Sequence, residues 1–330
     1  MSTAEESMLP RVPVGDWIDT AFDWIDDNLN VLLTLFRDVM TFVVEGLVDL
    51  LMWPPPLVMV ALFALVAWVV ASWRLAVGTA LGFALIISMD IWLPSMQTLA
   101  LVIVATVVAV AVAIPLGVLA ARNDAVSAVV RPVLDFMQTM PGFVYLIPAV
   151  TFFSIGLVPG IFATIIFALP PGVRLTELGI RQVDAETVEA GQAFGASSWQ
   201  ILRGIQMPLA VPTIMAGVNQ VIMLALSMAV IAGFTGADGL GKLVVESIAR
   251  LNTPLGVEAG IGVVILAIFL DRVTSALGNP GRQPGSLLAR LRARRTAAGG
   301  PQPTTTSETP SGDSSGTSPT PTDTSVRAGT

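Results

Sequence analysis

From residue 17 to residue 53 the chain repeats apolar positions with a helical period. Leu29, Leu32, Leu33, Phe36, Met40, Val43, Leu47, Leu50 and Leu51 recur at three- and four-residue spacing, and Asp27, Asn30, Thr34, Arg37, Asp38, Thr41, Glu45 and Asp49 fill the opposite face. The pattern predicts one long amphipathic helix, stopped by Pro54-Pro55-Pro56. Four charges between Arg37 and Asp49 make it a poor membrane span. The favoured reading is an interfacial helix lying on a bilayer. A helix laid along the side of a bundle has the same periodicity and stays open as an alternative.

Downstream the stripe gives way to runs. Neither Ile91 to Ala121 nor Phe136 to Val173 contains a charged residue. A membrane-crossing helix needs roughly 20 mostly apolar residues. Seven spans are predicted, at 57–72, 75–93, 97–120, 133–154, 157–173, 211–233 and 255–274. Pro115, Pro148, Pro170 and Pro171 fall within or at the ends of spans, where neighbouring helices can re-satisfy the freed carbonyls. The fold class is therefore all-α and polytopic. Its regions are a polar tail (1–16), the amphipathic helix (17–53), two accessory spans (54–94), a core (95–277) holding a long loop (174–210), and a Pro-, Ser-, Thr- and Gly-rich tail (278–330) expected to be disordered.

Composition agrees: 54% of residues are hydrophobic and 12% charged, against about 25% charged in a soluble domain. The absence of Cys and His excludes disulfides, thiolate or imidazole metal sites, and Ser-His or Cys-His catalysis. The acid-rich first 30 residues lack the basic and apolar regions of a cleavable signal, so none is expected. The net charge of −7 hides an asymmetry, with acids crowding the first 50 residues and arginines following Gly281. Arg122, Arg131, Arg174, Arg181, Arg203 and the arginines from Arg282 to Arg295 fall on one side of a seven-span chain, with Lys242 and Arg250 as exceptions. The basic side is expected to be cytoplasmic, which places the N-terminus outside a bacterial inner membrane and the C-terminus inside.

The loop at 174–210 has more structure than a connector needs. Asp184 is a good N-cap, with Glu186 in the first turn, and Gly195 suits the left-handed stop of a helix ending near Phe194. Ser197 with Gln200 is a capping-box pattern that starts a second helix, and Pro208 ends it or opens the next span. Val188, Ala190, Ala193, Phe194, Trp199 and Ile201 make this water-facing pair of helices apolar, the mark of a partner site.

Glu189-Ala190-Gly191, three residues, Gly195, nine residues, Ile205, one residue and Met207-Pro208 resembles the signature of ABC importer permeases, with Gly191 in place of an Ala and Met207 in place of a Leu. The resemblance implies that the loop couples the spans to a cytoplasmic ATP-binding-cassette ATPase, with Glu189, Ala190, Gly191, Phe194, Gly195, Trp199, Ile205 and Pro208 as its contact and hinge residues. It also implies a second permease subunit, homo- or heterodimeric, and an extracytoplasmic substrate-binding protein. Residues 95 to 280, including MPGFVYLIPAVTFFSIG and ILAIFLDRVTSALG, are similar to the glycine betaine/proline-type permeases. The implied cargo is a small osmolyte such as glycine betaine, choline or proline. An amino-acid importer and a secondary transporter are the alternatives, the latter needing mid-membrane ion sites.

Other signals weigh less. Gly236 to Lys242 fits a phosphate-binding loop except at Leu243, where a Ser or Thr should hold Mg²⁺, and it follows a span rather than a strand. ATP is therefore expected to be hydrolysed by another chain, with no cofactor bound here. The segment Ser198 to Gln206 has one basic residue, Arg203, too few for a DNA-reading helix, so no nucleic-acid partner is expected. Asn219, Gln220 and Ser227 are polar within a span and are candidates to line a pathway, with helix–helix hydrogen bonding as the alternative.

Overall fold

A computed structural model describes residues 13–278. The tail predicted to be disordered lies outside the described residues beyond Gly278, as does most of the N-terminal polar tail. Among the described residues there are only helices and turns. In chain order the α-helices are α1 (Val14–Met52), α2 (Pro56–Val70), α3 (Trp73–Ser88), α4 (Trp92–Arg122), α5 (Asp124–Thr139), α6 (Leu146–Phe153), α7 (Leu157–Arg181), α8 (Ala185–Ala193), α9 (Ser198–Ile201), α10 (Met207–Ile231), α11 (Leu240–Ala249) and α12 (Thr253–Gly278).

The core is the packing of α4, α7 and α10. Small residues let these helices approach closely. A Cβ on Gly117 of α4 would lie 2.7 Å from the Val173 carbonyl oxygen of α7, and one on Gly172 of α7 would lie 2.8 Å from the Ala113 Cβ of α4. The α2–α3 hairpin joins α12 through Phe63, Phe83 and Phe269, whose ring centroids are 4.7 to 5.3 Å apart. Along α1, Met40, Val44 and Leu51 are buried in the main apolar cluster with Val104 of α4, and Phe36 stacks on Phe153 and Phe162. Arg37 donates to the Phe153 carbonyl at 2.8 Å. Other residues of the predicted stripe, among them Leu32 and Leu50, remain exposed in the single chain.

The count of seven spans is not reproduced. Four helices are long and apolar enough to cross a membrane: α4, α7, α12 and the continuous Ser198–Thr235 segment that contains α10. The total reaches six if α1–α2, bent by 101°, and α5–α6, bent by 108°, are each one span. The predicted span 133–154 is thus broken. Met140-Pro141 ends α5, because proline lacks an N–H and forces the preceding residue into extended backbone. The apolar helix α3 has 16 residues, short of the roughly 20 needed. In the other direction, α7 continues past Val173 to Arg181, and α11 is an additional short helix.

Candidate coupling surface and pathway

The segment after α7 is built by local hydrogen bonds. The Asp184 carboxylate accepts from the Thr187 backbone N–H at 3.2 Å and from its hydroxyl at 3.0 Å, capping α8. At the other end Gly195 has φ +80°, its N–H donates to the Gln192 carbonyl at 2.8 Å, and the Ala196 N–H donates to the Gly191 carbonyl at 3.1 Å. These two bonds form a Schellman stop. The predicted capping box is complete: the Ser197 N–H donates to Gln200 Oε1 at 2.7 Å, and the Gln200 N–H donates to Ser197 Oγ at 3.4 Å.

The second helix does not stand alone. After α9 a π-helical turn, Leu202–Gln206, leads without a break into α10, and the Met207 N–H bonds back to the Leu202 carbonyl. Pro208 therefore sits inside a continuous helix directly after the π turn, where the widened turn accommodates a residue without an N–H. A Cβ on Gly191 would lie 2.8 Å from Ile205 Cδ1, so the glycine lets α8 close onto the turn. No residue of α8 is buried. Glu189 and Ala190 are exposed, Phe194 is 92% exposed and Trp199 57%. The Arg122 guanidinium lies 6.0 Å from the centre of the Trp199 ring.

Beneath this corner lies an ionic cluster that pattern reading missed. Glu177 of α7 is buried, and its Oε1 accepts from Ser127 Oγ at 2.7 Å, from Arg131 at 2.8 Å and from Arg181 at 2.9 Å. Arg181 also pairs with Asp124 at 2.8 Å and donates to the Ala120 carbonyl at 2.7 Å. Arg174 pairs with Asp135. Arg131, Asp135, Arg174, Glu177 and Arg181 line a cleft of about 280 Å³ and, with Ser127, Asp124 and the Ala120 carbonyl, tie the ends of α4, α5 and α7 together three residues before the Asp184 cap. The available signal was the i, i+4 pair Glu177/Arg181, which the sequence places inside a presumed loop.

The three polar candidates on α10 part company. Asn219 turns toward α12 and donates from Nδ2 to Asp271 Oδ1 at 2.8 Å. Gln220, Met223 and Ser227 are exposed, about 40–100° further round the helix. Beyond α10 the chain folds back on itself. A Cβ on Gly233 would lie 2.4 Å from the Gly241 backbone, so the 3-10 turn Ala232–Thr235 and α11 meet backbone to backbone. The Leu240 N–H at the start of α11 is taken by the Thr98 hydroxyl at 2.8 Å, and Lys242 pairs with Asp238 at 2.7 Å. Two donors that a phosphate would require, the Leu240 N–H and the Lys242 ammonium, are thus already engaged.

Comparison with known proteins fits this architecture. Residues 113–279 match the family described as binding-protein-dependent transport system inner membrane component. The chain is 46% identical to the glycine betaine transport system permease protein OpuAB of Bacillus subtilis, over 81% of this chain and 94% of the relative. It is 44% identical to the glycine betaine/proline betaine transport system permease protein ProW of Escherichia coli, over 83% of this chain and 78% of the relative. Among solved structures, an inward-facing MetNI methionine ABC transporter chain superposes with a TM-score of 0.52 at 22% identity, covering 56% of this chain and 92% of that one, a likeness of fold. With a family match from α4 through α12 and relatives aligned over most of its length, the chain belongs to the binding-protein-dependent transport system inner membrane components, the permease subunits of ABC importers.

Proposed function

We infer that this permease carries a quaternary-ammonium osmolyte of the glycine betaine type, driven by a separate ATPase that docks on α8, Phe194 and Trp199. The observation that carries the coupling assignment is the exposed, fully capped corner centred on Gly195, in which no residue of α8 is buried. A large aromatic that is 92% exposed on a turn closed by its own hydrogen bonds is a surface for a partner rather than for water. Glu189, Ala190, Gly191, Ile205 and Pro208 complete that surface or hold its two arms in place. The cargo class comes from the relatives, both of which are named for betaines.

Gln220 and Ser227 line the pathway in this reading, while Asn219 braces α10 against α12. A second permease subunit closes the other side of the pathway, and a binding protein delivers cargo from outside. The coupling corner is cytoplasmic, the C-terminus inside and the N-terminus outside, an arrangement in which the short apolar helices α2 and α3 each cross, beside α4, α5–α6, α7, α10 and α12. Three placements support that orientation. Arg122, Arg131 and Arg181 gather around the coupling end. Gly278 ends α12 beside Met215, in the coupling-end half of α10. Glu45 and Asp49 of α1 share a cleft with Gln97, Leu157 and Asp238 at the opposite end. Reconstitution with the cognate ATPase and binding protein tests the function: ATP-dependent glycine betaine accumulation in proteoliposomes is expected, and its absence with all partners present would refute the cargo assignment. A terminal tag at residue 1 should be accessible in intact spheroplasts and a tag at residue 330 should not.

A further inference from the structure

The exposed side of α10 continues past its end. Gln220, Ser227 and Phe234 recur every seven residues with Met223 between the first two, and all are exposed, Met223 at 44% and Phe234 at 55%. The Ser227 hydroxyl donates to its own Met223 carbonyl at 3.0 Å, but the Gln220 amide turned toward hydrocarbon would be costly, so in the assembled transporter this stripe meets water, cargo or protein rather than lipid. At its outer end Phe234 does not stand alone. Phe143, 51% exposed, stacks on it edge to face, with centroids 5.0 Å apart and planes at 63°.

Two unrelated elements are bent to bring these rings together. Phe143 sits in the 3-10 turn Gly142–Tyr145, inside the 108° break between α5 and α6. Gly142 has no side chain where Met228 and Ile231 of α10 approach within about 3.5 Å of a would-be Cβ, which seats the turn on α10. The Tyr145 hydroxyl, donating to the Met137 carbonyl, closes the turn from the other side. Phe234 sits in the 3-10 turn that ends α10.

A quaternary nitrogen is permanently cationic and has no N–H. No hydrogen-bond acceptor can hold it, so a protein meets it with a carboxylate or with the negative face of an aromatic ring. Asp271, which faces α10 at Asn219, is engaged by Asn219 and Arg272, and Asp238, beyond the end of α10, by Lys242. The half-exposed ring faces are the feature of the stripe that suits such a cation. We propose that Phe143 and Phe234 form an aromatic contact for the quaternary ammonium group of the cargo at the outer end of the pathway, with Ser227 and Gln220 further inward for its carboxylate. The contact rests on the cargo reading given above and names residues that would act on it. Ser227 lies about 10 Å inward of Phe234 at the rise of a helix, so the carboxylate would reach it as the cargo advances.

The test uses the complete transporter in proteoliposomes, with Phe143 and Phe234 replaced by phenylalanines carrying one, two or three ring fluorines. Fluorination drains the ring face of negative charge with little change in shape, so the fold is kept. Uptake of glycine betaine at saturating loaded binding protein should fall stepwise with fluorine number, by roughly three- to tenfold across the series. The paired substitution F143L/F234L, which keeps apolar volume and removes the rings, should fall at least as far. A flat fluorine series in a transporter that carries glycine betaine would overturn the aromatic contact alone and return the pair to packing, against lipid or a second subunit. A wild-type complex that carries no quaternary ammonium compound would overturn the contact and the cargo reading together.

Discussion

Two corners of this molecule reverse the chain at a left-handed glycine, and what surrounds that glycine sets them apart. At the coupling corner Gly195 has φ +80° and a Cβ there would meet nothing within 4 Å, so the residue is required by backbone conformation alone. At the outer corner Gly233 and Gly241 are buried, and a Cβ on Gly233 would lie 2.4 Å from the backbone of Gly241, so there it is required by space. The coupling corner is completed by its own hydrogen bonds and leaves Phe194 bare. The outer corner carries the same stop, with Gly236 at φ +82°, its N–H on the Gly233 carbonyl at 3.2 Å and the Ala237 N–H on the Ala232 carbonyl at 3.3 Å, but the bundle encloses it, down to the Thr98 hydroxyl that caps α11. A corner finished locally can move as a unit and offer its surface to a partner. One finished by tertiary packing is part of the frame.

Substitutions should separate the two corners by where the damage appears, beginning with the largest loss of stability. Gly233→Ala drives a methyl into backbone, which cannot yield as a side chain would. It should cost about 3 kcal/mol or more and give the largest fall in thermal midpoint of the detergent-purified subunit. A midpoint within a degree of wild type would mean that the outer corner is not frame. Glu177→Gln removes the charge that holds Ser127, Arg131 and Arg181 and leaves a neutral amide oxygen as a weaker acceptor. Because Arg131 is 59% and Arg181 33% exposed, both can turn to water, so the expected cost is about 1–2 kcal/mol rather than that of a stranded buried charge. Its readout is a smaller fall in midpoint, accompanied by weaker ATPase association.

Gly195→Val imposes about 1–2 kcal/mol of backbone strain, but on a segment free to distort. Insertion and midpoint should stay close to wild type while ATPase association and uptake are lost, and Gly195→Asn, which tolerates positive φ, should retain part of both. Wild-type uptake by Gly195→Val with an intact complex would sink the coupling assignment. Smallest in stability is Phe194→Ala, within about 0.5 kcal/mol of wild type because the ring touches little of its own chain. Co-purification of the ATPase should nevertheless weaken by on the order of 2 kcal/mol, as for a central interface aromatic.

Local chemistry was legible in the sequence. The Asp184 cap, the stop at Gly195, the Ser197/Gln200 box and the end of α1 before the prolines are all rules about a few neighbouring residues, and all are present in the structure. What escaped depends on residues distant in the chain. The end of α7 reads as loop because Arg174, Glu177 and Arg181 look like charges seeking water, whereas α5 supplies Ser127, Arg131 and Asp135 to satisfy them inside the fold. The break at Met140-Pro141 was hidden by an apolar run that reads equally as one span or two short arms. On α10, periodicity grouped Asn219 with Gln220, and only the position of Asp271 on α12 separates them.

The π turn at Leu202–Gln206 sets a length. It holds one residue more than an α-helical turn, and each residue of an α-helix rotates what precedes it by about 100°. The nine residues between Gly195 and Ile205 therefore include one that widens a turn instead of rotating what precedes it. Deleting Gly204 would let the turn close to α-helix with the helices on either side still in register, so Phe194 and Trp199 would keep their bearing and draw slightly closer to α10. A chain one residue shorter would insert, fold and still turn its aromatics toward the same side.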